Sequence, residues 1–483
     1  MCLLRSGAVV LLLVSGVGRA EEPPEPSEFE ALEEDITLES GDEELLEPDI
    51  EDEEDEGEVE DASPPSSSNT QSRWANRLSL EASTWALLPR RGTGPDERFL
   101  LVEPRLEVHH PGLLSLNLVA PVRLRIRGDS AREGLVRKED WDELSDWGQV
   151  VCALTVGGDA PNFIWVGTLD SYTMLSGHLV RRYNNHGNPD YHPAGVVLSG
   201  LLKPLYVEAF ASDVLGARLM GAEVSLDVEH LFVGSHPHPL RYRVALSAVH
   251  DWGRAGGTAE PMTLAHLDGT AVLVSHREGR GGFEFQAHAG WGGRPGTGGA
   301  WGVVAGLGAE YMSSRTDLRA RLEGRLQRGG FRQGAVGPDY ELARFQVAGP
   351  NAVPQSEDSF PEGASVHGEL IVNWDAERLG VLGQRHLRLT IGTEVFSWGR
   401  VDVDGHVETQ LFHRNLKVRA GGLAVGVGQR GARYVTSGEV RWRFLGGKLY
   451  AVGQGGTRLF PTAEGTLRPG AFASLGLGVD NAR

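Results

Sequence analysis

The sequence predicts an all-β fold: a transmembrane, antiparallel, up-and-down β-barrel of roughly 16–20 strands, preceded by a disordered acidic N-terminal tail. Three observations predict it. The chain opens with a leader, and apolar and polar side chains then alternate in short segments from Arg73 to the end. No run of about 18 consecutive apolar residues occurs beyond the leader, so a helical span is excluded.

The leader occupies residues 1–20. Arg5 supplies a basic start, residues 7–17 are apolar, and Gly18-Arg19-Ala20 offers small residues for cleavage. This pattern is a signal peptide, too short to span a bilayer. Cys2 lies inside it, which leaves Cys152 as the one cysteine of the exported chain. A single thiol forms no internal disulfide, so the fold is not a disulfide scaffold.

The formal charge of −20 belongs to the next segment. Residues 21–72 hold 23 acidic side chains and no Lys or Arg, whereas residues 73–483 hold 43 acidic and 44 basic ones. A charge run of this kind buries too little apolar surface to offset its ordering entropy and is expected to be disordered. Pro64-Pro65-Ser66-Ser67-Ser68 then reads as a linker. The tail is read first as a solvated periplasmic spacer. Phe29, Leu32, Ile36 and Leu38 lie among the acids and would let a stretch fold on a periplasmic protein partner. No nucleic-acid partner is expected.

Strand signals fill residues 73–483. Leu114, Leu116, Leu118, Ala120, Val122, Leu124 and Ile126 share one parity, while Arg123, Arg125 and Arg127 share the other. Alternate side chains of a strand point to opposite faces. Read as one strand, Leu114 to Arg127 is long enough for a bilayer, which needs about 9–11 residues. Val102, Leu106 and Val108 likewise alternate with Glu103, Arg105 and Glu107, and Leu318, Ala320, Leu322 and Leu326 with Arg319, Arg321, Glu323 and Arg325. Glycine-rich breaks punctuate these segments, and Arg344 to Ser365 reads as a long external loop. Trp74, Trp141, Trp147, Trp165, Trp252, Trp291, Trp301, Trp374, Trp398 and Trp442 fall near expected strand ends, as interfacial girdles would.

The charged parity is placed inward. An arginine near the bilayer midplane costs about 2–4 kcal/mol, and three on one strand would rival the stability of a small domain. Glu103, Arg105, Glu107, Arg123, Arg125, Arg127, Arg319, Arg321, Glu323 and Arg325 are therefore the expected lumen lining. The glutamates of 103–107 are expected to pair across a hairpin with the arginines of 123–127. Such a face either lines water or closes the lumen with ion pairs. The near-neutral sum predicts weak or mixed ion preference.

Residues 141–231 depart from the strand rhythm. They contain Trp141-Asp142-Glu143-Leu144-Ser145-Asp146-Trp147, Gly177-His178, Arg182-Tyr183-Asn184-Asn185 and Asp213-Val214-Leu215-Gly216-Ala217-Arg218. This block resembles an uncharacterised family of large, porin-like outer-membrane barrels from myxobacteria and related Gram-negative bacteria, in which an Arg-Tyr-Asn-Asn run precedes a barrel strand. The resemblance implies location and architecture, and no agreed activity. Arg182, Tyr183, Asn184, Asn185 and Asp190 are expected to form a loop folded into the lumen.

The same block carries the residue types of two chemistries. His178, His186, Asp190 and His192 supply metal-ligand residue types, but their spacing matches no metal motif, and no metal or other cofactor is expected. Ser176, His178 and Asp170 supply hydrolase residue types without a nucleophile signature, and no enzymatic activity is expected. The function expected is porin-like passage of small hydrophilic solutes across the outer membrane of a Gram-negative bacterium, with membrane lipid on the outer face. The alternative is an outer-membrane anchor of a trans-envelope machine for gliding motility or polysaccharide export, its tail binding periplasmic partners.

Overall fold

The structure, a computed structural model, describes residues 75–481 apart from 90–96, 111–112, 128–133, 158–161, 189–190, 217, 235–240, 254–260, 279–280, 297–298, 348–360, 376–385, 413–414, 430 and 462–466. The leader, the acidic tail, Trp74 and Asp190 lie outside the described residues.

Twenty-one strands, β1 (Ala75–Pro89) to β21 (Leu467–Asp480), join in one antiparallel sheet. Sequence neighbours pair along the chain, save at Leu114–Val119 and Val122–Arg127, and β21 returns to β1 from Ser79↔Asp480 to Pro89↔Gly470. The sheet is thus a closed barrel, which leaves no edge exposed. β3 (Leu114–Val119) and β4 (Val122–Arg127) both lie against β2 (Glu97–His110) and are two halves of one stave, so the described residues form twenty staves.

The stave expected to run unbroken from Leu114 to Arg127 is interrupted at Ala120-Pro121. Pro121 carries no N–H, and neither does Pro104, which falls opposite Ala120, so ladder bonds fail here. Ala120 N still donates to Pro104 O at 3.1 Å. Leu118 faces Leu106 below the gap and Val122 faces Val102 above it, so the register carries across.

The hairpin register corrects a second expectation. Arg123 faces Leu101 and Arg125 faces Phe99, while Arg105 faces Val119 and Glu107 faces Asn117. This offset separates the glutamates from the arginines. Arg123 instead pairs with Asp140 at 2.6 Å and lies 4.4 Å over the Trp85 ring.

Outward parities are apolar: Leu78, Leu80, Leu322, Leu326, Leu475 and Leu477 are all exposed. Aromatics gather at both rims. Trp252, Trp291, Trp301 and Trp398 lie at the rim of the longer connections, and Tyr311, Trp374 and Trp442 at the rim that carries Ala75 and Asp480. Trp165 is a correction, because it packs inward against the core cluster around Leu169 and Tyr183. The polar inward face explains why most of the barrel lacks an apolar core; the apolar cluster that does form sits inside the lumen.

Candidate functional site: a half-filled lumen

Two connections from the looped rim turn into the barrel: 168–194, between β6 (Phe163–Gly167) and β7 (Gly195–Leu202), and 329–347, after β14 (Thr316–Arg328). Their apolar side chains explain the turn inward. Leu169, Met174, Leu179, Val180 and Tyr183 pack with Phe331, Val336 and Tyr340, and against wall residues Val197, Phe210, Leu219, Val249 and Leu264. These wall residues share the inward parity with buried Glu208, Glu223, Ser247 and His266, so the loops remove scattered apolar side chains from water rather than a continuous greasy face. The two segments join by a parallel bridge at Val180 and Val336, and Arg181 N donates to Val336 O at 2.9 Å.

Charged bonds fasten this plug to the wall. Arg181 pairs with Glu369, and Arg182 reaches Asp404 at 2.5 Å and Glu369 at 3.3 Å. Arg182 holds a left-handed φ of 49°, a conformation rare outside glycine. Gly392 makes room for it, since a Cβ there would stand 1.7 Å from Arg182 Nη2. Arg332 donates to Asp402 at 2.8 Å and Glu394 at 3.1 Å. Tyr340 donates to Asp251 at 2.6 Å, Arg344 binds the same carboxylate at 2.9 Å, and Tyr183 donates to Glu341. Burial pushes the Tyr183 and Tyr340 hydroxyls well above the usual phenol range, so both remain donors. Asn185 is fully buried; it accepts from Leu169 N and donates to Pro193 O and Ser212 O.

Part of the expected lining lies beneath the plug. Glu323 and Arg325 are buried, Arg321 donates to Ser176 O at 2.8 Å, and Arg325 donates to Glu323 at 2.5 Å. His178, His288 and His367 surround the same Glu323 at 4.0, 3.1 and 4.0 Å. This sector is a lattice of ion pairs rather than a water-lined wall. The histidine grouping escaped the sequence, because its members sit on three well-separated segments with no local signal.

Water has room on the other side. A cavity of about 770 Å³ is lined by Arg77, Glu81, Glu103, Arg105, Arg123, Lys417, Arg419, Glu439, Arg441, Arg443 and Arg458, among others. It reaches Asn415 and Gly447, in the short turns of the terminal rim. A second cavity, of about 480 Å³, lies against the plug residues Arg182, Asn184 and His186. Arg419 and Arg458 line both.

The remaining expected residues are placed as follows. Glu107 faces Arg77 at 3.4 Å. Arg125 is buried over Phe99, Arg127 is exposed at the end of β4, and Arg319 is exposed beside Asp317. Ser176 Oγ donates to Glu223 at 2.9 Å and Asp170 lines the smaller cavity, so Ser176, His178 and Asp170 form no catalytic relay. His186 and His192 meet edge to face at 5.9 Å, whereas His178 stacks on His266. The most useful residues that the sequence did not single out are Lys417, Arg419, Arg441, Arg443 and Arg458. For the first four, the two-residue spacing on β18 (Leu416–Val427) and β19 (Arg433–Phe444) was the available signal; Arg458 stands alone on Leu449–Pro461.

No protein-family model matches the chain, and no curated protein does. Among solved structures it is similar to a BenF-like porin from Pseudomonas fluorescens Pf-5, at 9% identity over 84% of this chain and 99% of that one, with a TM-score of 0.34. It is also similar to Pseudomonas aeruginosa OpdK with vanillate (9% identity, 84% and 98% covered, TM-score 0.34). A third such structure is Pseudomonas aeruginosa OccK2 (OpdF) in complex with glucuronate, at 10% identity, 84% and 96% covered and a TM-score of 0.32.

Proposed function

We propose that the protein is an outer-membrane channel for small hydrophilic solutes and that it prefers anions. The observation that carries this reading is the larger cavity. Eight of its lining side chains are basic (Arg77, Arg105, Arg123, Lys417, Arg419, Arg441, Arg443, Arg458) and three are acidic (Glu81, Glu103, Glu439). The lining itself thus sums to five positive charges, part of which is offset from behind by Asp140 on Arg123, Glu408 on Lys417 and Arg419, and Asp480 on Arg77 and Arg443. A like-charged, low-dielectric passage concentrates counter-ions.

Membrane placement rests on the outward apolar parity, the aromatic rims and the closed sheet, which together meet the demands of hydrocarbon on a backbone. Short turns of such barrels face the periplasm, which puts Ala75 and Asp480 on that side. The resemblance of 141–231 to myxobacterial barrels agrees with the same placement. The plug narrows the lumen to one side and supplies Arg182, Asn184 and His186 to the path, so it selects solutes by size as well as charge.

Planar-bilayer recording of the purified protein tests the reading. Discrete conductance with a reversal potential favouring chloride over potassium is expected. An insulating bilayer at saturating protein, with folded barrel present, would overturn it.

A further inference from the structure

One buried corner of the lumen gathers four histidines. His178 sits on the in-turned connection 168–194. His266, His288 and His367 come from the wall, on β11 (Met262–Glu278), β12 (Gly281–Gly293) and β15 (Gly363–Asp375). All four are buried, His178 and His266 to 1% exposure. The His178 ring lies 4.7 Å from that of His266 and 5.4 Å from that of His288, centre to centre.

The charges around His178 suit a neutral ring. Arg321 Nη2 stands 3.2 Å from both ring nitrogens. A guanidinium only donates, so the ring accepts there, which an imidazole does and an imidazolium does not. Glu323, 4.0 Å from His178, already answers three guanidiniums: Arg325 at 2.5 Å, Arg181 at 3.5 Å and Arg321. The neighbouring carboxylates are engaged in turn. Glu369 holds Arg181 and Arg182, and Glu394 holds Arg325 and Arg332. Glu223 of β9 (Leu219–Asp227) accepts from Ser176 N and Oγ, and Asp268 faces His266 at 3.5 Å. A proton on His178 thus adds a cation beside Arg321 and beside a carboxylate that three guanidiniums share.

The same residue ties the two in-turned segments together. Gly334 N donates to His178 O at 2.7 Å, and Val336 N to Leu179 O at 3.1 Å. A displaced His178 therefore pulls on 334–336 as well.

We infer that His178 is an acid-operated latch: once protonated, it drives residues 174–182 off the wall and widens the lumen. The latch rests on the lumen described above, and only its effect on current rests on the proposed conduction. Burial, with Arg321 alongside, holds the His178 imidazole well below the usual histidine range. Rewetted in an open state, the ring takes its proton near pH 6.5. The closed form is thus fully favoured above about pH 6.5, and the open form gains about tenfold for each pH unit below it. The apolar packing of Leu179 and Val180 opposes opening equally at every pH, so the proton decides between the two.

Hydrogen exchange of the full chain in detergent, corrected for the intrinsic pH dependence of exchange, reads the latch without any current. Protection of 174–182 is expected to hold at pH 7.5 and to fall by about tenfold per pH unit below about pH 6.5, while 318–326 of β14 keeps its protection. His178→Gln, which cannot take the proton, is expected to abolish that fall. It should leave in place any acid response of the layer 134–150 around His192, whose N–H donates to Asp146 at 3.1 Å. In planar bilayers, conductance of the unaltered chain is expected to rise over the same window and that of His178→Gln to stay flat. Unchanged protection of 174–182 down to pH 4.5 in the unaltered chain would overturn the inference whether or not the variant folds. So would an acid response of 174–182 that survives in His178→Gln. Acid loss of protection with no current at any pH would uphold the latch and overturn the channel reading instead.

Discussion

Arg458 stands where the two cavities adjoin, 4.7 Å over the Phe472 ring. Arg458→Glu lowers the positive excess of the larger cavity from five to three. A unit charge acts on an ion about 8 Å away in water with about 0.5 kcal/mol. The reversal therefore shifts a passing ion by about 1 kcal/mol, roughly fivefold in occupancy. Anions lose what cations gain, so the permeability ratio moves by about 25-fold at low salt. At 0.15 M salt the Debye length is about 8 Å, which trims each factor to about twofold and the ratio to about fourfold. Reversal potentials under a tenfold KCl gradient, read at both ionic strengths, measure this. Arg458→Lys keeps the charge and is expected to keep the native selectivity. An unchanged reversal potential in Arg458→Glu, or a cation-preferring native channel, would refute the assignment of this wall as the conducting path.

Further outcomes are expected. Arg344→Met leaves the buried carboxylates of Asp251 and Glu341 without their guanidinium, at a cost of about 3–5 kcal/mol; single-channel conductance should rise as 340–347 loosens, and an unaltered conductance would show that this helix does not restrict the path. His192 is held neutral by burial and by Arg123, its pKa lowered to about 3. An unfolded imidazole takes its proton near pH 6.5. The layer around His192 is thus fully stable above about pH 6.5 and loses stability as the pH falls from there toward 3. Protease sensitivity of 134–150 should rise over that window, and a flat profile would contradict the burial. Deleting residues 21–72 should leave conductance unaltered, since the described lining of both cavities lies between Arg77 and Phe472; lost conductance would place the tail in the path, and lost co-purifying proteins would identify it as a periplasmic bait.

The barrel was legible because hydrocarbon enforces a strict rule. Every residue of Leu318–Leu326 has to satisfy one face or the other, so the period of two survives in sequence. The inward placement of Arg321, Glu323 and Arg325 followed from the same cost. What those residues meet inside was not legible. Val180 and Val336 meet across 156 positions, and Arg181 reaches Glu369 across 188, and no local pattern encodes such pairs. The departure of 141–231 from the strand rhythm was visible and coincides with the short strands between Val151 and Asp227 and the first in-turned loop, although its alternation gave no lengths. Trp165 was misplaced because position near a strand end does not fix the face it points to. The arginines of 123–127 were given the wrong partners because the offset of a hairpin depends on its turn, and Asp140 lies beyond that hairpin altogether.

The most direct test of the account is a cysteine scan along β19 from Ser437 to Arg443, on a Cys152→Ser background in native membranes. A water-soluble maleimide should modify positions 437, 439, 441 and 443, and a lipid-partitioning reagent positions 438, 440 and 442. Equal reactivity of neighbouring positions with either reagent, or no alternation along the strand, would contradict a wall with lipid on one side and a cationic, hydrated path on the other.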